Sequence, residues 1–117
     1  MTDITIIHNT RCSKSRQTLA LLEEKGLSPV VVQYLKEPLN ASALKDIFKK
    51  LNVESVREMM RTKENEYKDA NLGDETLSDD DLFNAMEATP KLIERPIVIK
   101  GDSARIGRPP ESVLEIL

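Results

Sequence analysis

The stretch ITIIHNTRCSKSRQTLALLEEKG, residues 4–26, decides the fold and contains the only cysteine of the chain. Its β-branched start, residues 4–7, is typical of a buried strand. The leucines that follow and the closing Gly26 predict a helix and its C-terminal end. Cys12 lies between these two elements in a polar loop. We therefore expect Cys12 at or near a helix N-terminus.

This position favours the thiolate form of Cys12. The unpaired N–H groups and the positive end of the helix dipole stabilise an anion there, either the sulfur or an oxyanion bound beside it. Residues 4–22 include no acidic residue, and we expect the cations Arg11, Lys14 and Arg16 to act in the same direction as the dipole. Such settings lower a thiol pKa from about 8.5 to roughly 3.5–7.5. An inert, packed Cys12 is the alternative interpretation.

Length and composition indicate one domain over residues 1–117 and exclude several classes of protein. There are 17 Lys and Arg against 20 Asp and Glu, a net charge of −3, and only 3% of the residues are aromatic. Direct nucleic-acid binding is therefore not expected. With one cysteine no internal disulfide is possible, which is typical of a reducing compartment.

No charged-then-apolar leader opens the chain, and no apolar run approaches the roughly 18 residues of a membrane span. We expect a cytoplasmic protein without a membrane partner.

The next segment completes a strand–helix–strand unit. Residues 30–35 contain a β-branched run that predicts a second buried strand, parallel to the first. This arrangement puts the Cys12 loop at the carboxyl end of the first strand, where open α/β sheets bind ligands.

Residues from approximately 40 to 93 read as a helical insertion. Apolar residues recur there at three- and four-residue spacing. Candidate N-caps precede these helical patterns: either Asn40 or Ser42 for the first, Ser55 for the second and Ser78 for the third. The acidic residues that follow Ser78 are interpreted as first-turn carboxylates that interact with a helix dipole, so no metal site is expected. This acidic cluster is Asp74, Glu75, Asp79, Asp80 and Asp81.

The last third returns to sheet. Residues 97–99 predict a strand, residues 104–106 a short antiparallel return, and Pro110 the start of a helix that packs the C-terminus. The apolar residues of that predicted helix are Val113, Leu114, Ile116 and Leu117. The order predicts an α/β, thioredoxin-like fold, with the helical insertion between an N-terminal βαβ unit and a C-terminal ββα unit.

Two arginines lie at element boundaries. In a thioredoxin-like arrangement the segment that ends at Arg95 passes beside the first helix, so we expect Arg95 to approach Cys12. The Arg95–Pro96 bond is also a candidate cis peptide. Arg108 follows the last short strand. A guanidinium suits an oxyanion because its planar fork donates two hydrogen bonds while it stays charged.

Three segments, HNTRCSKSRQTL (8–19), ERPIVI (94–99) and RIGRPPE (105–111), resemble the arsenate reductase family that uses glutathione and glutaredoxin. The resemblance covers essentially the whole chain. It implies a thioredoxin-like fold and the reduction of arsenate to arsenite. Thr10 and Arg11 replace a proline and an alanine of the best-studied members, which makes the loop similar to a reductase-like branch of the family.

The resemblance also implies roles for particular residues. Cys12 matches the catalytic nucleophile. The substrate-binding arginines are matched by Arg61, Arg95 and Arg108. The active-site loop is matched by His8, Asn9 and Ser15, and we assign His8 no part in proton transfer. No bound cofactor or metal is implied. The expected partners are arsenate or a similar oxyanion, glutathione as co-substrate, and glutaredoxin, because a protein with one thiol needs an external thiol to resolve its adduct.

Two alternatives remain open. The first is a regulator or adaptor of the Spx type, similar in fold, that binds RNA polymerase. Those regulators sense oxidants with a C-x-x-C pair, and Ser15 replaces the second cysteine, so a disulfide switch is impossible here. The second is a glutathione-linked reductase of another substrate.

Overall fold

Four strands form one mixed sheet in the computed structural model, which describes residues 3–117. The spatial order is β2-β1-β3-β4. In chain order the strands are β1 (Ile4–His8), β2 (Val30–Gln33), β3 (Ile97–Lys100) and β4 (Ser103–Ile106).

The pairing of the strands confirms the predicted α/β, thioredoxin-like fold. β1 runs parallel to β2 and antiparallel to β3, and β3 runs antiparallel to β4. The parallel strands β1 and β2 belong to the βαβ unit predicted from residues 4–35. The antiparallel strands β3 and β4 are the predicted strand and its short return. The Cys12 loop therefore follows the carboxyl end of a central strand.

The helices fill the connections. They are α1 (Ser13–Glu24), α2 (Ala41–Leu51), α3 (Asn65–Asp69) and α4 (Asp79–Ala88), with short 3₁₀ helices at Val56–Met59, Pro90–Leu92 and Pro110–Ile116. Asn40 caps α2 by accepting from the Ala43 N–H, and Ser55 and Ser78 form capping boxes with Glu58 and Asp81. The short helix α3 lies within the predicted helical insertion.

The sheet separates two apolar layers because successive strand residues point to opposite faces. Ile6 and its register partner Val98 pack with Leu22 of α1 on one face. Ile7 and its partner Ile97 pack against the helical insertion on the other.

The prediction that residues 30–35 form a buried strand is only half right. The strand forms, but Val30 and Val31 are 56% and 39% exposed. The reason is its place at the edge of the sheet, where β2 pairs with β1 alone among the described strands. Edge strands are covered less completely than central ones.

The predicted packing of the C-terminus needs a correction. Residues 110–116 form a 3₁₀ helix, in which residues three apart share a face. Pro110 and Val113 are buried and Ile116 packs on the same core, but Leu114 and Leu117 belong to another row and stay exposed. The sequence prediction assumed an α-helical period and so placed both leucines inside.

Within residues 3–117, no helix combines the length and apolar character that crossing a bilayer requires.

Candidate active site

Cys12 occupies the N-cap of α1, as the sequence predicted. Its carbonyl oxygen accepts the first helical hydrogen bond from the Arg16 N–H at 3.0 Å, and its own N–H donates to the Asn9 carbonyl oxygen at 3.1 Å. The side chain is partly exposed. The sulfur therefore lies at the positive end of a twelve-residue helix and is open to a reactant.

The predicted loop residues His8, Asn9 and Ser15 hold this loop in shape. The Ser15 hydroxyl is hydrogen-bonded to His8 Nδ1 at 2.6 Å and accepts from the Asn9 N–H at 3.0 Å. His8 is only 4% exposed. Burial, and then the nearby Arg16, lower the pKa of His8, so its imidazole is neutral near pH 7. This hydrogen bonding fixes the end of β1 to the start of α1.

Two of the three predicted arginines lie at the sulfur. Arg108 Nη2 is 3.5 Å from Cys12 Sγ, and Arg108 Nε donates to the Arg95 carbonyl oxygen at 2.9 Å. The Arg95 guanidinium lies beside Cys12 and Tyr34, and these two groups raise its pKa although burial alone would lower it. The fold thus brings two residues that lie 83 and 96 positions after Cys12 in the chain into contact with its thiol.

The balance of these interactions lowers the pKa of Cys12. Burial alone would raise it, but the Ser15 N–H, Arg95 and Arg108 together outweigh that penalty. The loop cations Arg11, Lys14 and Arg16 are all exposed, and the guanidinium groups that act most strongly on the sulfur come from the other end of the chain. Arg16 instead binds the Thr10 carbonyl oxygen at 2.9 Å.

The third predicted arginine, Arg61, pairs with two carboxylates. Its Nε is 2.8 Å from Glu64 Oε1, and its Nη1 is 3.8 Å from Glu94 Oε1. Arg61 and Arg108 line one groove of about 310 Å³. The other lining residues of this groove are Met60, Thr62, Lys63, Glu64 and Glu94.

Three residues at the site were missed by the sequence reading: Tyr34, Glu64 and Glu94. Tyr34 follows β2 directly and is fully buried. Its hydroxyl and Arg95 Nε have no hydrogen-bond partner within the described part of the chain. Burial raises the pKa of Tyr34, and Arg95 opposes this rise. The position of Tyr34 at the carboxyl end of a parallel strand was the signal that could have identified it.

The Arg95–Pro96 peptide bond is cis, as the sequence suggested, and so is Arg108–Pro109, which was not predicted. Both proline bonds directly follow an arginine of the site.

The arrangement is suited to nucleophilic attack on an anion. The environment of Cys12 favours the ionised sulfur, which can act as the nucleophile, and the guanidinium groups can offset the charge of an approaching oxyanion. Residues 3–117 contain no group of three or more His, Cys, Asp or Glu side chains placed to hold a metal ion.

Comparison with known proteins identifies relatives over the full length of the chain. A protein in Escherichia coli (strain K12), YfgD, described as uncharacterized, is 55% identical over 97% of this chain and 96% of its own. An arsenate reductase of Haemophilus influenzae is 54% identical over 97% of this chain and 98% of its own. The structure of an arsenate reductase from Vibrio cholerae superposes with a TM-score of 0.98 at 55% identity, covering 99% of this chain and 98% of that one.

The family comparison agrees with the site geometry. The model of the ArsC family matches residues 7–116, a range that contains Cys12 and all three predicted arginines. The sequence motifs, the thioredoxin-like sheet and this match lead to one conclusion: the chain belongs to the ArsC family.

Proposed function

We propose that this protein reduces arsenate to arsenite, with glutathione and a glutaredoxin as the source of electrons. The observation that carries the proposal is the contact between Cys12 Sγ and Arg108 Nη2 at 3.5 Å, at the N-terminus of α1. A thiolate and an anion-binding arginine are thereby adjacent. The names of the relatives from Haemophilus influenzae and Vibrio cholerae support the choice of arsenate.

In the proposed reaction the Cys12 thiolate attacks arsenic, and an oxygen of arsenate leaves as water or hydroxide. Arg95 and Arg108 hold the remaining oxygens and offset their charge as the sulfur–arsenic bond forms. Arg61, which lines one groove with Arg108, is the third guanidinium proposed to bind the oxyanion. We assign no proton transfer to His8, because its Nδ1 is engaged with Ser15.

The electron balance requires external thiols. Reduction of arsenate to arsenite takes two electrons, and two thiols supply them by forming one disulfide and one water. Cys12 is the only cysteine, so no second protein thiol can complete the disulfide. Glutathione therefore attacks the Cys12 sulfur of the adduct, and arsenite leaves with the electron pair of the sulfur–arsenic bond. Cys12 is left in a mixed disulfide with glutathione, and a glutaredoxin thiol takes the glutathionyl group and restores the Cys12 thiol. Because these reductants belong to a reducing compartment, we also propose a cytoplasmic site of action.

The test is arsenite formation, measured directly, with purified protein, arsenate, glutathione and glutaredoxin. Turnover should require both reductants and vanish in Cys12→Ser. Arg108→Ala should reduce kcat roughly a hundredfold, because one donor to the developing charge is lost. Arg105→Ala is the matched control: Arg105 is three residues away, but its guanidinium pairs with Glu115 at 2.9 Å on the surface.

Absence of arsenite in the presence of both reductants would refute the arsenate proposal. The reductase of another substrate and the Spx-type regulator would then be the hypotheses to pursue. Equal losses in the Arg105 and Arg108 variants would refute the role assigned to Arg108.

A further inference from the structure

A carboxylate that no catalytic step uses lies between two arginines of the site. Glu94 Oε1 is 3.8 Å from Arg61 Nη1, and Glu94 Oε2 is 3.6 Å from Arg108 Nε. The Glu94 side chain is only 21% exposed. An acidic group in an anion-binding site weakens the attraction for an oxyanion, so its presence needs a physical reason.

The backbone of Glu94 is fixed on the helical insertion. Its N–H donates to the Met59 carbonyl oxygen at 2.9 Å. Beside this bond, Met60 and Ile93 form an antiparallel bridge, and the Arg61 N–H donates to the Leu92 carbonyl oxygen at 2.7 Å. The segment that carries Glu94 is thus attached to the segment that carries Arg61. The backbone of Glu94 therefore keeps a fixed position relative to the segment of Arg61.

The orientation of Arg108 depends on groups around its Nε atom. The Arg95 carbonyl oxygen accepts from Nε at 2.9 Å, and the Glu94 carboxylate lies against the same atom. With this edge of the guanidinium held, Nη2 is directed to Cys12 Sγ. Arginine has many rotamers, so a free Arg108 would spend much of its time away from the sulfur.

We propose that Glu94 is a positioning residue that holds Arg108 in the orientation that stabilises the Cys12 thiolate. The inference rests on the proposed function in so far as that thiolate is the nucleophile. Burial raises the pKa of Glu94, although Arg108, Arg61 and Arg95 oppose the rise. The charge of Glu94 is therefore costly at this position.

The direct charge and the positioning role of Glu94 act on Cys12 in opposite directions. A nearby carboxylate repels the thiolate, so removal of its charge alone should lower the pKa of Cys12. Loss of the support for Arg108 should raise this pKa, since the guanidinium would no longer favour the thiolate.

The pair Glu94→Gln and Glu94→Asn separates the two effects. Both variants remove the charge, but only glutamine keeps the length needed to reach Arg108. The Cys12 pKa is obtained from the pH dependence of alkylation by iodoacetamide, and thermal unfolding shows that each variant is folded. We expect the Cys12 pKa in Glu94→Asn to exceed that in Glu94→Gln by about half a unit or more. A smaller difference would overturn the proposal.

Glu64→Gln and Glu64→Asn form the matched control pair. Glu64 pairs with Arg61 at 2.8 Å and has no contact with Arg108 among the ion pairs of residues 3–117. We expect this pair to show no difference in the Cys12 pKa. A difference as large as that at Glu94 would overturn the assignment to Arg108.

A double-mutant cycle gives a second readout that does not depend on the asparagine variant. In an Arg108→Ala background, Glu94→Gln should no longer differ from Glu94→Ala in the Cys12 pKa, because the residue through which Glu94 acts is absent. A difference that persists would overturn the proposal. Alkylation needs no arsenate, so these results stand even if arsenate is not the substrate.

Discussion

At the scale of single residues, the proposed chemistry depends on the charge of one sulfur. Burial of Cys12 opposes ionisation, while the Ser15 N–H, Arg95 and Arg108 favour it and determine the direction of the pKa shift. The Ser15 N–H is fixed by the helix, but both guanidinium groups must be brought from residues 95 and 108. The reactivity of Cys12 is therefore a property of the folded chain.

The lowered pKa of Cys12 predicts a pH profile. In the folded protein the alkylation rate should reach its plateau at a lower pH than in protein unfolded with urea, whose thiol has a pKa of about 8.5. Because the pKa of Cys12 is depressed in the folded state, its ionisation stabilises the folded protein at pH values above the unfolded-state pKa. This stabilisation is lost as the pH falls through the folded-state pKa. Alkylation followed by mass spectrometry measures both profiles.

The comparison has an internal control, because Cys12 is the only thiol and all alkylation is assigned to it. Coincident profiles for the folded and unfolded protein would contradict an activated thiolate. Arg108→Ala should move the folded profile towards the unfolded one, since a cation that favours the thiolate is removed.

At the scale of elements, Arg57 forms hydrogen bonds that hold together a part of the helical insertion with little regular secondary structure. It lies in the 3₁₀ helix Val56–Met59, directly before the segment that carries Arg61. Its Nη2 donates to the carbonyl oxygens of Leu72 at 2.9 Å and Asp74 at 2.8 Å. These bonds satisfy backbone acceptors in a stretch that contains only one short helix, α3.

Arg57→Lys should destabilise the protein by about 1–3 kcal/mol, because a single ammonium group cannot reproduce the planar fork that serves both carbonyl oxygens. Urea unfolding measures the change in the free energy of unfolding. Arg105→Lys is the control, since Arg105 pairs with Glu115 on the surface, and a change of roughly 0.5 kcal/mol or less is expected there. Equal changes in the two variants would contradict this role of Arg57.

At the scale of the whole molecule, the site depends on a close approach of distant segments. Gly107 directly precedes Arg108, and its N–H donates to the Pro96 carbonyl oxygen at 2.9 Å. A Cβ atom at Gly107 would lie 2.6 Å from Thr18 Oγ1 and 2.8 Å from Pro96 Cγ. Both neighbours are constrained, because Thr18 is buried in α1 and the proline ring is rigid. Only glycine lets the Arg108 loop pass this close to α1.

Gly107→Ala should therefore destabilise the protein by about 1–3 kcal/mol through overpacking, and should also raise the pKa of Cys12 by displacing Arg108. Thermal unfolding and the alkylation profile measure the two effects. Gly73→Ala is the matched control, since an added Cβ would meet only an ordinary contact, 3.7 Å from Tyr67 Cε1. A Gly107 variant that behaves like the Gly73 variant would contradict the requirement for glycine.

The sequence by itself determined the local elements and their order. The β-branched runs specified β1 and β3, the caps Ser55 and Ser78 specified where helical turns begin, and the position of Cys12 at the start of α1 followed from the residues around it. These features depend on interactions within a few residues, which the sequence displays directly.

Only the tertiary structure decided which side chains are exposed and which charged groups lie close to one another. The exposure of Val30 followed from the place of β2 at the sheet edge, and that of Leu114 from a 3₁₀ period. Arg95 and Arg108 were expected at the site, but only the structure showed that both act on the Cys12 sulfur and that Glu94 lies between Arg61 and Arg108. Electrostatic interactions and packing depend on distances in space, and local sequence does not contain the distance between residues 12, 94 and 108.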